Sequence, residues 1–308
     1  MKILVTGGAG FIGSNLVRRI LEFNERVDVL DNFSTGNRSN LEEILDRVKI
    51  IEGSLKDLNG DQLAGYDYIF HLGMPSSSPI YKDNPVVLSE TVSEAVYMVE
   101  QLRKKEFKGK LILASSSSLY NGNSVPFTEE MDIKVTDYYT ECRYYIERLL
   151  ELYNRLYGLK YVALRLFSVY GPREEYKGKY ANIITQFLWS ILKRESPVIY
   201  GAGDQTRDFI YIDDVVEAII LSAEKDIEEG VFNVGTGLQT SFKQIIELLN
   251  THLKTNIQPR YVNNPITNYV QHTLADTRKS SMRLGFRARV NLTTGIGKIY
   301  KYYSAKNF

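Results

Sequence analysis

The sequence predicts an α/β protein that has a doubly wound parallel sheet and a smaller α/β C-terminal domain. Short apolar segments without polar alternation recur through the first 115 residues, and longer amphipathic stretches separate them. Such short apolar runs are typical of strands buried on both faces, and the stretches between them have the length of crossover helices. A glycine-rich turn also follows the first apolar run. These three features together predict parallel strands joined by right-handed crossovers.

The predicted strands coincide with the apolar runs and end where polar residues or glycine follow. They cover residues 3–5, 27–30, 48–51, 68–71, 111–114 and 161–164. The predicted helices cover about 14–23, 84–105 and 138–157, and Gly158 suits a left-handed C-cap. We therefore expect a first domain at 1–170, to which 212–231 returns, and a second domain at 171–211 and 232–308. The substrate is expected between them, beyond the carboxyl ends of the strands.

Composition excludes several kinds of protein. The 308 residues carry a net charge of +1 and no block of like charge, which argues against binding nucleic acid or an anionic membrane. The single cysteine, Cys142, excludes a disulfide framework, and the three histidines lack metal-ligand spacing, so no metal is expected. No apolar run near the N-terminus suits a signal peptide or a spanning helix, so the expected location is cytoplasmic.

The turn after the first strand has the spacing of a dinucleotide-binding loop. Gly7, Gly10 and Gly13 form a G-x-x-G-x-x-G pattern between the first strand and the first helix. Without side chains there, the backbone can approach a diphosphate, and the helix N-terminus offers unpaired N–H donors to it. Asp31 ends the second strand, where a carboxylate accepts hydrogen bonds from ribose hydroxyls and repels a 2′-phosphate. This favours NAD over NADP, although an ordinary turn at 31–36 is the alternative.

With these motifs the sequence resembles the extended short-chain dehydrogenase/reductase family, in its branch of nucleotide-sugar epimerases and dehydratases. It is most similar there to the UDP-glucose 4-epimerases. The motifs that carry the resemblance are TGGAGFIGS at 6–14, DNFSTGN at 31–37, SSSSLY at 115–120, LRLFSVYGPR at 164–173, GDQTRDFIY at 203–211 and NVGTG at 233–237. The resemblance implies a Rossmann-type fold, NAD as cofactor, a nucleotide-sugar substrate and a homodimer. The residues it implies for cofactor binding are Gly7, Gly10, Phe11, Ile12, Gly13, Asp31, Asn32, Ser34, Gly36, Ser54, Leu55, Leu72, Gly73, Tyr139 and Arg143.

The resemblance also implies a reaction centre made of a serine, a tyrosine and a cation four residues after the tyrosine, on one helix face. Glu147 matches an acid that the family carries eight residues after its catalytic tyrosine, which selects Tyr139 rather than Tyr138. Ser116 matches the serine, and Arg143 stands where the family has lysine. A free phenol has a pKa of about 10, and a neighbouring positive charge favours the ionised base.

Arginine keeps that charge, but its planar fork cannot copy the contacts of an ammonium with the nicotinamide ribose. Two hypotheses follow: Arg143 supports turnover with altered kinetics, or the chemistry has been lost while binding persists. The plainer alternative is that Tyr139 only packs against its neighbours. A nucleotide-sugar reductase or another extended-family oxidoreductase is a further alternative.

Substrate contacts are implied for Ser168, Asn182 and Arg207. Arg207 matches the family arginine that binds the diphosphate, and a surface pair with Asp208 is the alternative. Ser168 replaces the usual asparagine, and residues 265–276 lack the second diphosphate arginine that the family often has.

Two departures concern the adenosine half of the cofactor site. The family usually binds adenine with an acid after the third strand, where this chain has Ser54. The long helix usually carries an NxxGT pattern, and residues 91–95 lack both its asparagine and its glycine.

The residues after Ser116 bear on the reaction. Elimination of water in this family needs an Asp-Glu pair there, and decarboxylation needs a glutamate at the second position. Ser117 and Ser118 occupy these places, and neutral hydroxyls are poor general acids or bases. The sequence therefore favours an NAD-dependent 4-epimerase that acts on a UDP-hexose such as UDP-glucose or UDP-galactose.

Overall fold

The computed structural model describes residues 1–264 and 269–306 in two compact units. The strands are β1 (Ile3–Thr6), β2 (Val27–Asp31), β3 (Val48–Glu52), β4 (Tyr68–His71), β5 (Lys110–Ser116), β6 (Tyr161–Leu166), β7 (Ser168–Tyr170), β8 (Val198–Tyr200), β9 (Thr206–Arg207), β10 (Phe209–Tyr211), β11 (Val231–Val234), β12 (Thr240–Ser241) and β13 (Arg260–Val262). The helices are α1 (Phe11–Ile20), α2 (Gly60–Ala64), α3 (Ser78–Asp83), α4 (Val86–Lys104), α5 (Tyr138–Tyr157), α6 (Ile183–Leu192), α7 (Ile212–Glu224), α8 (Phe242–Leu253) and α9 (Leu292–Ser304).

The first unit comprises Met1–Asn121, Asp132–Arg165 and Val216–Phe232. A seven-stranded sheet has the order β11-β6-β5-β4-β1-β2-β3, and the pairs from β3 to β5 are parallel. Every residue of β1 and β6 is buried, as expected for central strands covered on both faces. The predicted fold class, a doubly wound α/β sheet, is confirmed.

Helix α1 begins earlier than the predicted start at residue 14. Gly13 lies within the helix, and it must be glycine because a Cβ there would clash with the carbonyl oxygen of Gly7. The predicted helix at 84–105 is confirmed as α4, which runs from Val86 to Lys104. A short helix, α3, precedes it and was not predicted, and Asn84 and Pro85 separate the two. Proline lacks a backbone donor and disfavours helical geometry in the residue before it.

Helix α5 is bounded as the sequence predicts. Asp137 and Thr140 form a capping box at its N-terminus, and Gly158 ends it in the left-handed conformation with φ of 70°. Both devices satisfy backbone groups that the helix itself leaves unpaired. The cap fixes the first turn of the helix, where Tyr139 lies.

The second unit comprises Gly122–Met131, Leu166–Val215 and Asn233–Phe308. Its two-stranded sheets are β7 with β10, β9 with β12, and β8 with β13, and α6, α8 and α9 pack against one another. The two units differ from the predicted boundaries at 122–131, 166–170 and 212–215, all of which group with the second unit. Residues 122–131 do so because Phe127 forms a bridge with Ala275 and accepts a hydrogen bond from Asn233. Segment 212–231 is mostly helix α7, and β11 then joins the large sheet. That the second unit binds substrate stays a prediction.

Neither a membrane-crossing helix nor a metal-binding cluster of histidine, cysteine and acidic residues occurs within 1–264 and 269–306. The cytoplasmic location and the homodimer stay predictions. Residues Pro265, Ile266, Thr267 and Asn268, where the family often carries its second arginine, lie outside the described part of the chain.

Candidate active site

The glycine loop after β1 requires glycine for steric reasons. Gly7 has a positive φ of 67°, and a Cβ on it would lie 2.7 Å from the Cα of Gly73. A Cβ on Gly13 would lie 2.1 Å from the carbonyl oxygen of Gly7. A Cβ on Gly10 would meet only that same oxygen, at 3.2 Å, so the outer side of Gly10 is open. No side chain caps the N-terminus of α1 there, which leaves its N–H donors available to a diphosphate.

Asp31 fastens the next loop to the glycine loop. Its carboxylate accepts hydrogen bonds from the backbone N–H of Ala9 at 2.9 Å and of Phe33 at 2.8 Å. Burial raises the pKa of Asp31, and these two hydrogen bonds act in the opposite direction. Each carboxylate oxygen has a further lone pair, so the group can still accept ribose hydroxyls. A Cβ on Gly36 would lie 2.9 Å from this carboxylate, which explains the glycine.

Several other predicted cofactor residues lie in the same part of the first unit. The Asn32 side chain accepts the backbone N–H of Ser34 at 3.0 Å, which shapes the loop after β2. The backbone N–H groups of Leu72 and Gly73 donate to Thr6, at 3.2 and 3.0 Å respectively. The loops after β1 and β4 are therefore in direct backbone contact. Phe11 and Ile12 form the first turn of α1.

Ser54 has a structural role that the sequence did not predict. It caps the 3₁₀ turn Leu55–Asp57 that follows β3, and its hydroxyl lies 3.2 Å from the Asp57 carboxylate. The same hydroxyl accepts the backbone N–H of Lys56 at 3.3 Å. The predicted adenine contact of Ser54 would have to compete with this cap.

Arg143 is buried on α5, and its guanidinium joins the ends of two strands. One terminal nitrogen donates to the carbonyl oxygen of Ala114 in β5 at 2.9 Å and lies 3.3 Å from the sulfur of Met74. The other donates to the carbonyl oxygen of Pro75, after β4, at 2.8 Å. Burial disfavours the charge, but the phenol oxygens of Tyr139 and Tyr81 and the thiol nearby raise the pKa of Arg143. The guanidinium is therefore a buried, permanently charged clamp.

Tyr139 lies one helical turn before Arg143 on the same face of α5. The guanidinium carbon is 5.1 Å from the centroid of its ring, within the range of a cation–π interaction. The edge of Tyr81 packs against the same ring, with centroids 5.5 Å apart. Tyr139 is 7% exposed, so the ring is held on two sides while part of it remains accessible.

Ser116 is the last residue of β5. Its side-chain oxygen accepts the backbone N–H of Ser118 at 3.1 Å, which caps the 3₁₀ turn Ser117–Tyr120. This contact uses a lone pair and leaves the hydroxyl proton free to donate. Because Arg143 holds the carbonyl of Ala114, two residues earlier in β5, the first unit brings the three predicted catalytic residues to one strand end.

A buried ion pair supports this region and was not predicted as such. Arg165 donates to both oxygens of Glu147, and its nearest contact is 2.7 Å. Ser115 donates to Glu147 at 2.5 Å, and Arg165 donates to the hydroxyl of Tyr120 at 2.8 Å. Glu147, whose spacing in the sequence selects Tyr139, thus also connects α5 to β5 and β6.

His71 ends β4 and is 1% exposed. Its Nδ1 shares a 2.8 Å hydrogen bond with the hydroxyl of Thr6, and its Nε2 has no partner among the described residues. Burial, aided by the charge of Arg143, lowers the pKa of His71 to about 3. The imidazole is therefore neutral at physiological pH.

The predicted substrate residues belong to the second unit. Arg207 donates to the carbonyl oxygens of Thr206, Gln271 and Val270, and its guanidinium lies 5.5 Å from the ring centroid of Tyr269. Burial lowers the pKa of Arg207. No carboxylate of the described residues pairs with it, so its positive charge is unneutralised, as an anion-binding role requires.

The alternative pair between Arg207 and Asp208 does not form. Asp208 is buried and accepts hydrogen bonds from the backbone of Thr236, Gly237 and Ala275 and from the Thr236 hydroxyl, at 2.7 to 3.1 Å. It therefore fixes the turn at Thr236 and Gly237 and the backbone at Ala275, and it does not neutralise Arg207.

Ser168 and Asn182 lie near each other in the second unit. Ser168 begins β7, and Asn182 donates to the carbonyl oxygen of Val169 at 3.0 Å. Asn182 also caps α6 through the backbone N–H of Ile184. Its backbone N–H donates to Glu174, which is fully buried. Their contacts with substrate stay predictions.

Comparison with known proteins identifies the family. Residues 3–235 match the NAD dependent epimerase/dehydratase family. The chain belongs to this family. A relative from Methanocaldococcus jannaschii named putative UDP-glucose 4-epimerase is 32% identical over 99% of both chains. A UDP-N-acetyl-alpha-D-glucosaminuronate decarboxylase from Bacillus cytotoxicus is 30% identical over 88% of this chain and 85% of its own. The crystal structure of a Thermotoga maritima UDP-glucose 4-epimerase with UDP-glucose has a TM-score of 0.91, 32% identity and 99% coverage of both chains.

The predicted family resemblance and NAD as the cofactor are thus confirmed, and the chain is an enzyme of the nucleotide-sugar epimerases and decarboxylases. The residues present fit the cofactor. The open side of Gly10 and the free N-terminus of α1 suit its diphosphate, and the remaining lone pairs of Asp31 suit the adenosine ribose. At the other end, Arg143 already donates to two backbone carbonyls, and only its Nε–H lacks a partner among the described residues.

Proposed function

We propose that the enzyme is an NAD-dependent 4-epimerase of a UDP-hexose of the UDP-glucose/UDP-galactose type. The observation that carries the proposal is the pair Ser117 and Ser118 in the turn after Ser116. Within the described chain, no carboxylate contacts Tyr139 or Arg143 either. Elimination and decarboxylation need acid–base groups beyond the tyrosine, whereas epimerisation at C4 does not.

The residues have distinct roles in this proposal. Tyr139 takes the proton of the C4 hydroxyl, and Ser116 donates a hydrogen bond to the same oxygen, since its own acceptor site is engaged by Ser118. Arg143 orients the tyrosine ring and stabilises negative charge on it. NAD, when bound, supplies reversible hydride transfer at C4. After the keto sugar presents its other face, Tyr139 returns the proton, so the cycle consumes no net reductant.

In the second unit, Arg207 would bind the diphosphate of the substrate. Arginine suits this role because its planar fork matches two phosphate oxygens at once. Ser168 and Asn182, near each other at the start of β7 and of α6, would contact the sugar diphosphate.

The experiment is to incubate the purified enzyme with UDP-glucose, UDP-galactose, UDP-N-acetylglucosamine or UDP-glucuronic acid and to resolve the products by chromatography. We expect interconversion of C4 epimers without added reductant, and its loss in Tyr139→Phe. Stoichiometric oxidation of NADH would identify a reductase instead, and release of carbon dioxide a decarboxylase. NAD binding without any product would support the hypothesis that the chemistry has been lost.

A further inference from the structure

The face of α4 that packs on the 3₁₀ turn Leu55–Asp57 carries a glutamate, Glu94. The ammonium of Lys56 donates to the hydroxyl of Ser93 at 2.9 Å, and the hydroxyl of Tyr97 donates to the carbonyl of Leu58 at 3.0 Å. These two hydrogen bonds lie on either side of Glu94 along the helix. Residues three and four apart share a helix face, so Glu94 is held against the turn.

This turn adjoins Asp31 directly. The backbone N–H of Gly53 donates to the carbonyl oxygen of Asp31 at 3.1 Å, and Asp31 lies opposite Glu52 in the register of β2 and β3. Ligands of doubly wound sheets bind beyond the carboxyl ends of the strands. If Asp31 accepts the adenosine ribose, the attached base lies beside the turn after β3, which Glu94 contacts.

Glu94 is a half-buried acceptor that lacks an ion-pair partner. No lysine or arginine of the described residues forms a salt bridge with it: the ammonium of Lys56 donates to Ser93 and acts on Glu94 only as a nearby charge. Burial raises the pKa of Glu94, and a hydrogen bond from the backbone N–H of Leu55 and the nearby charge of Lys56 oppose this effect. A partly desolvated carboxylate with one backbone donor still has lone pairs for further hydrogen-bond donors. It is therefore suited to a ligand that presents an N–H group.

Ser54, by contrast, is a weak candidate for the same ligand. Its hydroxyl proton is directed to Asp57, and Lys56 occupies one of its lone pairs. A neutral hydroxyl already engaged in a cap also makes a weaker acceptor than a carboxylate.

We propose that Glu94, on α4, accepts the hydrogen bond of the exocyclic amino group of adenine in NAD. The acid then lies on α4, whereas the family usually carries it in the turn after the third strand. This assignment rests on the NAD dependence of the family and not on which sugar the enzyme converts.

The test compares NAD with nicotinamide hypoxanthine dinucleotide, in which a carbonyl oxygen replaces that amino group. Isothermal titration of the cofactor-free protein with each dinucleotide gives the preference for the amino group. We expect the unaltered protein to bind NAD about tenfold or more tightly, as for a hydrogen bond to a charged group. Glu94→Gln keeps the size of the side chain and should reduce the preference to less than about threefold, and Glu94→Ala should abolish it.

Glu90→Gln is the control for general effects, because it removes an exposed charge one turn earlier on α4 and should keep the full preference. Ser54→Ala tests the rival acceptor in the turn, and loss of the preference in this variant would assign the contact to Ser54 and overturn the proposal. Circular dichroism confirms that each variant is folded.

An unchanged preference in Glu94→Gln would overturn the proposal. So would tighter binding of NAD by Glu94→Ala, since Glu94 would then compete with the base for the N–H of Leu55. Failure of the unaltered protein to bind either dinucleotide would overturn it together with the NAD dependence. Loss of epimerisation with the amino preference intact would contradict only the proposed sugar reaction.

Discussion

Replacing Arg143 with methionine removes the clamp between β4 and β5 while keeping an unbranched side chain. The change deletes two hydrogen bonds from a charged group, at 2.8 Å to Pro75 and 2.9 Å to Ala114. Such bonds contribute about 1.5 to 3 kcal/mol each, and losing the buried guanidinium also removes its desolvation penalty. We therefore expect the free energy of unfolding to fall by about 2 to 4 kcal/mol, or roughly 3 to 6 °C in Tm for a chain of this length.

Differential scanning calorimetry of the NAD-free protein measures this change. Arg155→Met is the matched control, because Arg155 is an exposed arginine of the same helix and its loss should shift the free energy of unfolding by less than about 0.5 kcal/mol. If Arg143→Met unfolds at the same temperature as this control, the two carbonyl contacts contribute nothing and the clamp is refuted.

The same variant tests the electrostatic role of Arg143 when the proposed epimerisation is the readout. Methionine removes the positive charge beside the Tyr139 ring, so kcat should fall about a hundredfold or more. Arg143→Lys keeps the charge and should recover most of this activity even though it cannot reach both carbonyls. Equal activity of the lysine and methionine variants would show that the charge is not used.

Three other residues give independent predictions. Asp31→Asn should weaken NAD binding about tenfold and reduce the ratio of the NADP and NAD dissociation constants, both measured by titration calorimetry. His71 has a pKa of about 3 in the folded chain, so as the pH falls the unfolded state is protonated at this residue before the folded state. Its contribution to the free energy of unfolding is therefore fully present above about pH 6.5 and decreases by up to about 1.4 kcal/mol per pH unit below it. His71→Gln should remove that part of the slope in urea unfolding at several pH values. Glu147→Gln should cost about 3 to 5 kcal/mol in thermal unfolding, because Arg165 stays buried without its partner.

The fold was largely predictable because it depends on local patterns. Buried parallel strands must be short and apolar, and the glycine loop must lack side chains, so both leave a signal in neighbouring residues. Helix α3 shows the limit of this reasoning: it has only six residues, too few for an amphipathic pattern to be recognised in the sequence, and Pro85 separates it from α4. Segment 122–131 is a different case, since its pairing with Ala275 depends on residues far away in the sequence.

The site was predictable where it needs a particular side chain and not where it needs a backbone atom. Asp31 and Ser116 are the last residues of β2 and β5, at positions that the motifs mark. The partners of Arg143, in contrast, are carbonyl oxygens of Ala114 and Pro75, and every residue carries a carbonyl. The position of Glu94 against the turn after β3 likewise depends on how α4 packs, which no local pattern specifies.

The geometry of Arg143 favours the hypothesis of turnover with altered kinetics over the hypothesis that the chemistry has been lost. A longer, forked side chain in place of lysine could leave donors buried without acceptors, yet both terminal nitrogens find carbonyl oxygens at hydrogen-bond distance. Only its Nε–H, buried at the same site, has no partner within the described chain. A buried donor left unsatisfied costs about 1 to 3 kcal/mol. A bound ligand that places an oxygen beside this N–H group would recover that free energy. Since Tyr139 and Ser116 remain beside it, the substitution preserves a charged, ordered centre, which is what turnover with altered kinetics requires.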